Sequence, residues 1–160
     1  MRMIWPIVAV AAASLGGLAY IWLSNALFES SIKGQRQILS AAQQRVGSPP
    51  NALPELMRTY AIRAGGRENG PTMIHARQSA ELVVDPAGLP LTIEADQWTG
   101  TIVPGLVWRA SGTMNRLPVT IVDSYIDGAG ALEARVLGAV AASAGSGAAY
   151  DKGELMRYLS

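Results

Sequence analysis

The chain has no cysteine, one histidine and one phenylalanine. Without thiols there is no disulfide, no thiol nucleophile and no thiolate-held metal. A single histidine without cysteine is poor material for a metal centre, so neither metal nor cofactor is expected. Charge is sparse and balanced: 13 Lys and Arg stand against 12 Asp and Glu. A nucleic-acid partner would need a basic stripe to neutralise phosphates, and no Lys/Arg cluster exists, so that class is excluded. No charged residue at all lies between Met3 and Phe28.

That charge-free run is the most informative feature present. A helix crossing the hydrocarbon core needs about 20 apolar residues. Trp5, Tyr20 and Trp22 lie near its two ends, where aromatic rings prefer the interface. A cleaved secretory signal has a shorter apolar core. Arg2 and a small-residue site at Ser24-Asn25-Ala26 fit one, but the run is too long, and the reading is a retained anchor. The positive-inside rule gives almost no margin, because Lys33 and Arg36 offset Arg2. The two-residue tail before the run places the N-terminus in the cytoplasm. The expected location is therefore the cell membrane, single-pass, with residues 29–160 extracytoplasmic (periplasmic).

Beyond the anchor, the pattern from Glu29 to Val46 is helical. Ile32, Leu39 and Val46 recur every seven residues beside Ile38 and Ala42, and Lys33, Gln35, Arg36, Gln43 and Gln44 fill the polar side. This narrow stripe either packs on the following domain or self-associates. Gly47-Ser48-Pro49-Pro50 ends it. A second helix is expected over 54–64, with proline at its start and Gly65-Gly66 past its end. From Thr72 the period becomes two. Strands are expected at 72–84, 91–96, 105–114, 119–126 and 131–140, separated by Asp85–Gly88, Asn115–Pro118 and Asp127–Gly130 turns. Residues 138–149 read as a strand fading into a small-residue loop. Asp151 caps a last helix carrying Leu155, Met156 and Leu159.

The expected fold is α+β: an N-terminal transmembrane helix, then helices packed on a curved antiparallel β-meander of about five strands. Residues 1–28 form the anchor, 29–50 the juxtamembrane helix and linker, and 51–160 the α+β domain. One sheet face should be apolar and the other wet. Pairing Asn115 with Pro118 puts Trp108 opposite Tyr125, and pairing Val84 with Leu91 puts Gln78 opposite Gln97. Leu106, Trp108, Met114, Val119, Ile121, Tyr125, Leu132 and Val136 then share one face, with Asp123 in its middle.

An apolar face carrying a few polar groups is the composition of a small-molecule pocket, and equally of an ordinary α+β core. A carboxylate there must pair, accept hydrogen bonds or hold a proton. Asp123, Trp108, Tyr125, Gln78 and Gln97 are the candidate ligand-binding residues. Arg109 and Arg135 point to the other face, so neither is an obvious partner for Asp123. His75, Arg77, Glu94 and Asp96 share that polar face; Glu94 and Asp96 form a carboxylate pair that more often marks a solvated face than acid–base chemistry. No nucleophile elbow and no phosphate loop occur, so no catalytic residue is assigned.

Several segments in order resemble a bacterial membrane-associated family of unknown function. They are Leu53-Pro54 with Arg58, Tyr60 and Ala64-Gly65; Val107-Trp108-Arg109-Ala110; Leu117-Pro118-Val119; Asp123-x-Tyr125-x-Asp127-Gly128-x-Gly130; Leu137-Gly138; and Gly153 to Leu159. The resemblance covers Leu53 to the end and implies no activity and no site residues. Members of that family continue past this last helix, which makes a chain ending at Ser160 an incomplete one. A curved antiparallel sheet with helical cover is also similar, in architecture alone, to the LolA-like periplasmic lipid-carrier fold.

Three readings follow. The first is a membrane-anchored extracytoplasmic domain binding a lipid or other hydrophobic ligand. The second is a structural or interaction module of the envelope, with a protein partner or a second copy. The third, and weakest, is a hydrolase using Asp123 or the Glu94/Asp96 pair.

Overall fold

A computed structural model describes residues 4–45, 71–83 and 90–159, with Thr59 and Arg63; side chains of the first helix are described from Ala12. The turn expected at Asp85–Gly88 and the breaker at Gly47–Pro50 lie outside these residues, as does the helix expected over 54–64 apart from Thr59 and Arg63.

The first element is one helix, α1 (Ile4–Arg45). At 1.5 Å per residue its 42 residues span about 63 Å. Nothing between Phe28 and Glu29 interrupts it, so the charge-free run and the juxtamembrane stripe share one rod. Among the described residues no helix is long and apolar enough to cross a membrane. The charge-free run starts at Met3, and the side chains of residues 4–11 are outside that set.

Among the described residues there follows an open antiparallel sheet of six strands in sequential order: β1 (Met73–Leu82), β2 (Leu91–Gly100), β3 (Leu106–Met114), β4 (Leu117–Ile126), β5 (Ala129–Val136) and β6 (Val140–Ser146). A last helix, α2 (Ala148–Leu159), follows. The expected count of five strands is corrected to six. The stretch Ala141-Ala142-Ser143-Ala144-Gly145-Ser146, read as a loop, pairs with β5 at the sheet edge. It has no apolar alternation to announce it, and its extended form comes from the ladder hydrogen bonds of its neighbour.

Two registers differ from expectation by two residues. Thr113 faces Pro118, so Trp108 lies opposite Asp123 rather than Tyr125. Asn115 and Arg116 both take positive φ (52° and 69°), which makes a tight two-residue hairpin of the type favoured by strand twist. In the first hairpin Leu82 faces Leu91, so Gln78 lies opposite Ala95. A shift of two leaves side-chain parity unchanged, and so the face assignments hold.

The two faces carry separate cores. On one, Leu91, Ile93, Ala95, Leu106, Trp108, Ala110 and Tyr125 cluster, with Leu155 of α2 packed against them. Of the expected apolar side of α2, only Leu155 packs there; Met156 and Leu159 are exposed. Gly145 and Gly130 let the helix sit close, since a Cβ at either would run into Tyr150. On the other face, Phe28, Ile32 and Leu39 of α1 pack on Trp98, Val107 and Val122. This corrects the expectation that the polar face is simply wet. The stripe of α1 needs an apolar partner, and the alternate residues Trp98, Val107 and Val122 supply one among the charges.

Candidate functional site

The five candidate residues do share one face. Gln78, Gln97 and Trp108 form a chain of polar contacts: the Trp108 indole N–H donates to Gln78 Oε1 at 2.9 Å. Gln78 Nε2 in turn donates to Gln97 Oε1 at 3.2 Å, and Gln97 Nε2 donates to Thr99 Oγ1 at 3.1 Å. Tyr125 is buried in the adjoining cluster. Asp123 is paired, as its burial requires, by a residue of the last helix. Arg157, in the last turn of α2, donates to Asp123 Oδ2. The same guanidinium lies 4.4 Å from the Trp108 ring centre. An aromatic face under a guanidinium is favourable, more so when desolvated.

Glu154, one turn earlier on α2, is also buried, 4.0 Å from Arg157. Two carboxyl groups thus face one cation. Burial pushes the Asp123 carboxyl above its ordinary value, and Arg157 offsets this only in part. Burial likewise raises Glu154, and the neighbouring Asp123 charge adds to it. Asp123 Oδ1 and Glu154 Oε2 are buried without hydrogen-bond partners among the described residues. The sequence held one signal for this: a basic residue in the last turn of a helix that must return over the sheet.

The opposite face is organised by α1. Glu29 accepts from Arg109 at 2.5 Å and 3.3 Å, a two-point contact between helix and strand. Arg36 lies 3.8 Å over the Trp98 ring, and His75 stacks on that ring at 4.9 Å. His75 Nε2 is 2.7 Å from Asp96, on a half-exposed surface. Among the described residues no cluster of metal-ligating side chains exists. Gln43, assigned to the polar side from sequence, is 1 % exposed. Its Oε1 accepts from the Ile102 and Val103 amides, and its Nε2 donates to Val103 O, all at 2.9 Å. It fastens the far end of α1 to the β2–β3 loop.

A groove of about 330 Å³ opens between α1 and strands β4 to β6. Phe28, Gln35, Ser124, Ala131, Glu133 and Ala144 line it. Arg135 neighbours two of these residues, 4.4 Å over the Phe28 ring and 2.7 Å from Glu133. None of the five candidate residues borders it.

Among the described residues the geometry defines a small α+β domain clamped to a long N-terminal helix, with a buried ionic cluster and a lateral groove. The chain belongs to a family of unknown function (DUF6544), whose profile matches residues 44–160. No curated protein and no solved structure matches it.

Proposed function

We propose that this is a single-pass membrane protein whose residues 29–160 form an extracytoplasmic domain binding a lipid or other hydrophobic ligand. The observation carrying the reading is the continuity of α1. From Ala12 to Leu27 every apolar side chain except the half-buried Ile21 is exposed: Leu15, Leu18, Tyr20, Trp22, Leu23 and Leu27 are each more than half accessible. A helix apolar on every side needs cover, and lipid is the cover its charge-free sequence fits. From Phe28 onward the same helix is buried on one side against the sheet. The domain therefore sits where the charge-free run ends, beside the headgroups.

Two tests bear on it. In native membranes washed with alkaline carbonate, the chain should stay in the pellet, and added protease should reach residues 29–160 only from the extracytoplasmic side. Release into the supernatant would refute the anchor. Native mass spectrometry from mild detergent should show a bound lipid mass; a bare protein mass would refute ligand binding.

A second reading has its own support. Asp123 is taken by Arg157, and Gln78 by Trp108, so the polar groups of that face serve each other. An interaction module without a ligand would look the same there. It predicts a bare mass and a co-purifying protein or a second copy.

A further inference from the structure

We infer that the groove between α1 and β4–β6 is a headgroup site for a zwitterionic membrane lipid carrying a phosphate ester and a primary ammonium. This rests on the anchored reading above, and it places the ligand on the opposite side of the sheet from Asp123.

Position comes first. The groove starts at Phe28, the last residue of the charge-free run, and reaches Gln35. Seven residues of helix are about 10 Å, so a headgroup entering at Phe28 reaches Gln35 without its acyl chains leaving the apolar segment. A cavity of about 330 Å³ is at the small end of ligand pockets, which suits a headgroup better than a whole lipid.

Chemistry comes second. Gln35 Oε1 is a buried acceptor with no hydrogen-bond partner among the described residues. Buried acceptors in native proteins are nearly always satisfied, so a donor is wanted there. Glu133 adds a carboxylate to the same wall. An ammonium with three N–H groups answers both; a choline, with none, answers neither. Arg135, held by Glu133 through Nε and lying over the Phe28 ring, puts a guanidinium beside two of the lining residues, the charge a phosphate would seek. Glu133 and Arg135 together are neutral. That matches a zwitterion and disfavours an anionic headgroup, whose charge Glu133 would repel.

The test uses the full chain in nanodiscs containing equal amounts of phosphatidylethanolamine, phosphatidylcholine and phosphatidylglycerol, followed by native mass spectrometry. Phosphatidylethanolamine should be retained preferentially, by about tenfold over phosphatidylcholine, as expected for charge-assisted hydrogen bonds. Glu133→Gln should cut that preference. Ala144→Phe fills the groove from an exposed edge position and should abolish retention while thermal unfolding stays unchanged, which covers the case of a Glu133 variant that folds poorly. Equal retention of the three lipids, preference for phosphatidylglycerol, or indifference to Ala144→Phe would overturn the assignment. Dissolved phosphoethanolamine binding as tightly as the lipid would overturn the membrane as its source. Carbonate release of the chain would sink the anchored reading separately. Binding of phosphoethanolamine lost in Ala144→Phe would then still uphold the groove chemistry.

Discussion

Replacing Gln43 by alanine tests whether the long helix and the sheet are one folded unit. The side chain is almost fully buried and makes three hydrogen bonds to the Ile102–Val103 backbone. Each such bond has a net worth of about 1 kcal/mol, and leaving buried partners unmade costs more. Ile102 and Val103 are only half-buried, so water can reach some of the abandoned groups. The expected destabilisation is about 2–3 kcal/mol. For a domain of this size that lowers the unfolding midpoint by roughly 5–12 °C. The assay is thermal unfolding in detergent followed by near-ultraviolet circular dichroism, which reports Trp98 under α1. Hydrogen exchange should show the Ile102 and Val103 amides of the β2–β3 loop losing protection before those of β3. A change below about 0.5 kcal/mol, the usual size for a surface substitution, would mean that Gln43 faces water and that α1 does not dock as described.

Three more outcomes are expected. A double-mutant cycle on Glu29→Ala and Arg109→Ala should give a coupling of about 1 kcal/mol, since the pair is part-buried and two-pointed; zero coupling would detach α1 from β3. Gly130→Ala presses a methyl into the Tyr150 backbone and should cost about 1–3 kcal/mol, with early proteolysis within α2; full stability would show that the helix is not seated there. Because the folded-state values of Asp123 and Glu154 are raised, their contribution is fully present below the ordinary carboxylate range and is lost as pH rises through the raised values. Glu154→Gln should therefore flatten the loss of stability as pH rises above the ordinary carboxylate range. Identical pH profiles for variant and parent would show that Glu154 does not titrate in the fold.

The strands and their faces were legible because a period of two survives any register shift of two. Trp108, Asp123, Gln78, Gln97 and Tyr125 therefore land on one face even though both hairpins pair differently from expectation. The turn within Asn115–Pro118 was legible, but its two-residue form was not, because an arginine at positive φ has no composition signal. Nor was β6, whose alanines and serines match a loop as well as an edge strand.

By itself the sequence determined what depends on neighbours along the chain: the charge-free run, the helical stripe of Ile32 and Leu39, the alternation of β1 to β5, and the absence of thiols. Tertiary structure alone decided what depends on residues meeting across the chain. It turned the charged face toward α1, brought Arg157 to Asp123 from 34 positions away, and buried Gln43 against a loop 60 positions distant. Local periodicity carries a side chain's direction but not its partner, and partners are fixed only when the sheet closes distances that the chain leaves open.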